Sequence, residues 1–147
     1  MIYLDTSVAL AQLFAEDRQP PEDLWREPLT ASRLLQYEVW TRVHARRLEA
    51  PHGDKVRDLL DGVAYIELAP PVLARALEPF PVPVRTLDAL HLATMDFLRG
   101  HGQAIELASY DARLLAAAPS LLRGAWTSSA LAADPARRSD PRASHPA

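Results

Sequence analysis

Short apolar segments recur along this chain, each handing over to a helical pattern. That alternation restricts the possible fold more than any other feature. Strands are predicted at about 2–5, 29–31, 65–68, 105–109 and 124–127. Helices are predicted at 7–14, 22–26, 54–60, 71–77, 86–99 and 112–117, with a longer one running from a cap at Ser32 to about Glu49. Ser7 and Thr86 stand where N-caps belong, and Pro51 and Gly53 read as stops. Pro79, Pro81 and Pro83 make a stiff extended connection. Strands alternating with helices predict an α/β fold, a parallel sheet covered by helices on both faces. In such sheets ligands bind beyond the carboxyl ends of the strands, so the polar residues at those ends are the first to weigh.

The chain of 147 residues suits one domain, assigned to 1–131. From Ala133 onward only Ala, Pro, Arg, Ser, Asp and His occur, so 132–147 is expected to be a disordered tail. There is no cysteine, which excludes disulfides and thiolate metal sites. The first residues carry no basic stretch and meet Asp5 at once, unlike a secretory signal, and no apolar run nears the roughly 20 residues that span a bilayer. A cytoplasmic protein without membrane contact is expected. A net charge of −3 argues against non-specific coating of nucleic acid. It leaves room for a site that concentrates negative charge to hold a cation.

Asp5 follows the first strand and Asp111 follows the strand at 105–109, so both belong at the ligand-binding edge. The plainer reading is that each opens a helix, where a carboxylate complements the dipole. On a helical wheel Leu34, Tyr37, Thr41, Ala45 and Leu48 form the inward stripe of the long helix, and Glu38 falls within it. An unpartnered buried carboxylate is costly, so something cationic is expected beside it; the plainer reading is an i,i+4 pair with Arg42, which needs no burial. Val39, Trp40 and Val43 lie off that stripe, as a second buried face or a binding surface. Asp88 sits in a first turn, between Leu92 and Met95 on the wheel, with His91 one turn on; a lone histidine is read as structural. Together the acids make an all-oxygen set suited to Mg²⁺ or Mn²⁺, ions that activate water and orient phosphodiesters.

At these residues the chain resembles a known family. Ile2-Tyr3-Leu4-Asp5-Thr6-Ser7 resembles the opening strand of PIN-domain ribonucleases, and Tyr37-Glu38-Val39 their second acidic position. Arg85-Thr86-Leu87-Asp88-Ala89-Leu90-His91-Leu92-Ala93-Thr94 is the most specific match, and Ser109-Tyr110-Asp111-Ala112-Arg113-Leu114 resembles the fourth motif, with serine where threonine is commoner. Size and motif style are most similar to VapC-type toxins of toxin–antitoxin pairs. The segment 119–124 is less glycine-rich than usual there.

The resemblance implies a three-layer PIN-like fold with a five-stranded parallel sheet, and Mg²⁺- or Mn²⁺-dependent endoribonuclease activity on tRNA or rRNA. It also implies a homodimer and a cognate antitoxin protein. Carried over by position, the metal-site and catalytic acids are Asp5, Glu38, Asp88 and Asp111, with Ser7 and Ser109 in support. The mechanism expected has the metal on Asp5, Asp88 and Asp111, aided by Glu38, and leaves 5′-phosphate and 3′-hydroxyl ends. Arg42, Arg46, Arg85 and Arg113 are candidate phosphate contacts. A phosphatase with an aspartyl nucleophile would need an aspartate where Ser7 stands, and a phospho-receiver domain a paired acid and a late lysine; neither pattern occurs. The alternative from another class is a catalytically silent PIN-like module that binds a partner protein or RNA.

Overall fold

The computed structural model describes residues 1–14 and 18–118, and the main chain of 125–126. Among these, β1 (Ile2–Leu4) leads into α1 (Thr6–Phe14), and a 3-10 turn (Glu22–Arg26) precedes β2 (Leu29–Ser32). Next come α2 (Leu34–Ala45), α3 (Glu49–Asp61), β3 (Val63–Ile66), α4 (Pro70–Ala76), α5 (Thr86–Gly100), β4 (Glu106–Ala108), α6 (Ala112–Ala117) and β5 (Ala125–Trp126). The strands pair in the order β3-β2-β1-β4-β5, all parallel. Because β2 lies on one side of β1 and β4 on the other, the chain turns both ways from β1. The crevice where an open sheet binds ligands therefore opens beyond Leu4 and Ala108.

Alternation along the strands sends side chains to two cores. Ile2 and Leu4 join Val8, Leu35, Val39, Val43, Val56 and Leu60 under α1, α2 and α3. Tyr3, between them, points the other way and packs with Leu92, Met95, Leu107 and Leu114 under α5 and α6. The sheet is thus flanked by helices on both faces. Among the described residues no helix is long and apolar enough to cross a membrane.

Several boundaries differ from the sequence expectations, each for a local reason. The long helix stops at Ala45, where Arg47 takes a left-handed φ of 54°. The Leu48 N–H then bonds the Val43 carbonyl and the Arg47 N–H that of His44, each at 3.0 Å. These bonds close the helix as a glycine cap would. Pro51 and Gly53 do not end that helix; they lie inside α3, with Pro51 in the first turn, where a missing N–H costs nothing. The expected helix at 54–60 is the later part of α3. Asp5 rather than Ser7 caps α1, accepting the Ser7 N–H at 3.2 Å. Thr86 is the first residue of α5 rather than its cap, preceded by extended Arg85. Ser32 ends β2, although its Oγ still accepts the Leu34 N–H at 3.2 Å.

The inward stripe of α2 is also corrected. Leu35, Val39 and Val43 are fully buried, whereas Tyr37 is 67% exposed and Thr41 and Ala45 face solvent. Trp40 packs partly buried against the same core, so Val39, Trp40 and Val43 are core and not a free surface. The sheet expected with five strands consists of four strands of three or four residues, with a two-residue pairing of Ala125–Trp126 along β4 in place of the strand at 124–127. Gly124, Thr127, the segment 119–124 and the tail 132–147 lie outside the described residues.

Candidate functional site

Four carboxylates from four separate segments line one cleft of about 470 Å³ beyond the strand ends: Asp5, Glu38, Asp88 and Asp111. Thr6, Ser7, Tyr37, Arg42 and His91 line it too. A larger groove of about 670 Å³ lies between α4 and the start of α5, but its walls are mainly apolar, formed by Leu73, Leu77, Phe80, Val82 and Val84. The converging acids make the smaller cleft the chemically informative one.

Asp5 is buried and held by three donors on a single oxygen. Its Oδ2 accepts the Ser7 N–H at 3.2 Å, the Ser7 hydroxyl at 2.5 Å and the Ser109 hydroxyl at 2.8 Å. Both serines are oriented in turn, since Ser7 Oγ accepts the Tyr110 N–H and Ser109 Oγ the Asp111 N–H, each at 2.9 Å. These N–H bonds occupy oxygen lone pairs and direct both hydroxyl hydrogens at Asp5. Residues at opposite ends of the domain are thereby tied into one corner.

Asp111 caps α6, its Oδ1 accepting the Arg113 and Leu114 N–H groups at 2.8 and 3.4 Å. The plainer sequence reading, a helix opener, is therefore realised at Asp111 as well as at Asp5, while both also face the cleft. Glu38 comes from the side of α2 next to the buried stripe. Its Oε2 accepts the Thr6 hydroxyl at 2.5 Å and lies 2.9 Å from His91 Nε2. Asp88, in the first turn of α5, completes the cleft.

The electrostatics follow from this crowding. Partial burial, then the charge of Asp111 and, less strongly, of Asp5, raise the Asp88 pKa, against a hydrogen bond from the Arg85 main chain and the nearby His91. Burial alone would raise Glu38, but the hydrogen bond and charge of His91, with help from Thr6 and Arg42, carry it below the usual range. Burial opposes protonation of His91, yet Glu38, Asp5 and Asp88 outweigh it and raise the histidine. Among the described residues, no three of these acidic or histidine side chains stand close enough together to clasp an ion directly. Each carboxylate is drawn instead to its own donors.

Of the four arginines singled out as phosphate contacts, Arg42 lines the cleft. The Arg46 guanidinium lies 4.6 Å from the centre of the Phe14 ring, Arg85 borders the apolar groove, and Arg113 is exposed on α6. Sequence reasoning missed Thr6, Tyr3 and the cleft position of His91. One signal for His91 was available, its place one turn from Asp88.

Fold and site together define a class: a parallel α/β domain with an acidic cleft at the switch point of its sheet. A family model described as PIN domain matches residues 2–119. Ribonuclease VapC47 of Mycobacterium tuberculosis (strain CDC 1551 / Oshkosh) is 33% identical over 122 residues, covering 78% of this chain and 88% of that protein. The chain belongs to the PIN-domain family. Its fold is similar to the crystal structure of Mycobacterium tuberculosis VapC20, described as a sarcin-ricin loop cleaving toxin. The TM-score is 0.59 and the identity 21%, over 80% of this chain and 95% of that one. A toxin–antitoxin complex from Klebsiella pneumoniae gives a TM-score of 0.59 at 19% identity, over 84% of this chain and 97% of that one.

Proposed function

We propose that this protein is a Mg²⁺- or Mn²⁺-dependent endoribonuclease, the toxin of a toxin–antitoxin pair, acting on a structured RNA such as tRNA or rRNA. The observation that carries the reading is the meeting of Asp5, Glu38, Asp88 and Asp111 in one cleft. Its relatives support the assignment: one is a ribonuclease by name, one is described as a sarcin-ricin loop cleaving toxin, and one belongs to a toxin–antitoxin complex. A cognate antitoxin, a second copy of the chain as homodimer mate and a cytoplasmic setting belong to the same reading.

The donor set fits a hard divalent cation in kind, since carboxylate oxygens are its preferred ligands. Three of the acids gather their hydrogen bonds on one oxygen each: Asp5 on Oδ2, Glu38 on Oε2 and Asp111 on Oδ1. Among the described residues, none of these bonds falls on the second oxygen, which would serve a cation. Asp5, Asp88 and Asp111 would hold the ion, with Glu38 contributing directly or through water. When bound, the cation supplies a more acidic water and stabilises charge on the phosphate.

The remaining work falls to the chain itself. Ser7 and Ser109 fix the Asp5 carboxylate in place through their hydrogen bonds to Oδ2. Thr6 and His91 do the same for Glu38. Partial burial, then the charges of Asp111 and Asp5, raise Asp88, and a cation in the cleft would relieve that crowding of charge. Arg42 stands at the wall to pair with a backbone phosphate. Tyr37, exposed at the mouth, offers a ring on which an unstacked base can lie.

The test is incubation of the purified protein with total cellular RNA and Mg²⁺, followed by sequencing of new 5′ ends. Discrete cleavage leaving 5′-phosphates, lost on chelation and in Asp5→Asn, is the expected result. Cleavage undiminished in Asp5→Asn would contradict the mechanism. No cleavage by the wild type, with an antitoxin or RNA still bound, would favour the silent-module alternative.

A further inference from the structure

We infer that Tyr3 and His91 form a buried positioning relay that sets the orientation of Glu38 in the acidic cleft. The inference rests on the cleft's being a divalent-cation site. Tyr3 is fully buried in the core beneath α5, yet it carries a hydroxyl, which must be satisfied internally. Its Oη accepts the Ser32 N–H at 3.1 Å and lies 2.9 Å from His91 Nδ1. The two rings meet edge to face, 6.0 Å apart at 87°. His91 is 2% exposed, and its other nitrogen reaches Glu38 Oε2 at 2.9 Å. A line of contacts thus runs from the end of β2, through β1 and α5, to a carboxylate on α2.

Proton accounting gives the line a direction. The Ser32 N–H occupies one lone pair of Tyr3 Oη, and the Glu38 carboxylate facing Nε2 can only accept, so in the neutral ring Nδ1 takes the phenol hydrogen. With Nδ1 accepting, the imidazole proton sits on Nε2 and is donated to Glu38. When the ring is doubly protonated, Nδ1–H donates to Oη. Nε2 presents a hydrogen to Glu38 in both states. The disfavoured arrangement is a neutral ring with its proton on Nδ1, which would set a nitrogen lone pair against the carboxylate. The Thr6 hydroxyl donates to the same Oε2 at 2.5 Å, so two donors pin one oxygen. The logic matches that of metal-site ligands whose orientation is fixed by partners behind them.

The experiment compares wild type with Tyr3→Phe, His91→Gln and His91→Asn, using Mn²⁺ alone as the probe. A glutamine amide nitrogen falls near the place of Nε2 and can still donate to Glu38; an asparagine reaches only the Nδ1 side. Calorimetric titration should show Mn²⁺ affinity falling about 10- to 100-fold in His91→Asn, with recovery to near wild type in His91→Gln. ¹⁵N NMR of the neutral imidazole should find the wild-type proton on Nε2, with a share moving to Nδ1 in Tyr3→Phe. Equal Mn²⁺ affinity in wild type, His91→Asn and Tyr3→Phe would overturn the relay. Failure of wild type itself to bind Mn²⁺ would count against the cation site, and the relay would then stand or fall on the NMR signal, which needs no metal and no folded variant. A wild-type proton on Nδ1 would overturn it.

Discussion

The Ser109 hydroxyl donates to Asp5 Oδ2 at 2.8 Å, joining residues 104 positions apart in the chain. Ser109 Oγ in turn accepts the Asp111 N–H at 2.9 Å, so one side chain connects the two strand-end acids. Ser109→Ala should leave a buried carboxylate short of a donor and an N–H without its acceptor. The expected destabilisation is about 1–3 kcal/mol by denaturant unfolding. Ser109→Thr keeps the hydroxyl and should retain cleavage, whereas Ser109→Ala should lose most of it.

Asp88 should make the metal-free protein less stable as pH rises. Its folded pKa is raised by burial and by the charges of Asp111 and Asp5. The favourable balance is complete below the unfolded carboxylate value and is lost as pH climbs through the raised folded one. Asp88→Asn should remove that decline and be the more stable protein at neutral pH. The opposing loss is its first-turn dipole interaction, about 0.3–1 kcal/mol. Urea unfolding across the acidic range checks the slope, which should flatten in the variant.

Glu38 and His91 predict a window instead. Glu38 is lowered on folding, so its contribution is present above its unfolded pKa and lost as pH falls through the folded value. His91 is raised, so its contribution is complete below its unfolded pKa and lost as pH rises through the folded value. The pair should therefore stabilise most between the unfolded pKa values, from weakly acid to just below neutral. His91→Gln should erase the decline on the alkaline side, as read from melting temperatures measured against pH.

The order of strands and helices was legible because alternation and turn residues are local properties. The four cleft acids were legible for the same reason, each sitting next to a strand end or on a helix with periodic apolar neighbours. The wheel on α2 failed because apolar residues flank Glu38 on both sides; the aliphatic series Leu35, Val39, Val43 was the true stripe. The end of α2 was hidden because Arg47, and not a glycine, takes the left-handed turn. No local pattern announces that Tyr3 and His91 will meet across 88 residues, since only the parallel packing of β1 beneath α5 brings them together.

Tyr37 should matter to substrate choice more than to folding. It is 67% exposed, stands beside Glu38 and lines the cleft. Tyr37→Ala should leave the melting temperature nearly unchanged while weakening RNA binding by the stacking of about one base, roughly 1–3 kcal/mol. Tyr37→Phe keeps the ring face and should behave like wild type. Binding of a cleaved RNA sequence to both variants, carried out without divalent cations, provides the measurement.

The central claim is that Asp5, Glu38, Asp88 and Asp111 work as one cation-holding site. Melting curves with and without Mn²⁺, for wild type and Asp88→Asn side by side, test it most directly. A cation that binds only the folded protein stabilises by RT ln(1 + [L]/Kd), about 2.7 kcal/mol at a hundredfold excess over Kd. Wild type should shift upward by an amount that grows with Mn²⁺ concentration, and Asp88→Asn should shift clearly less. Equal shifts in the two proteins would contradict the claim.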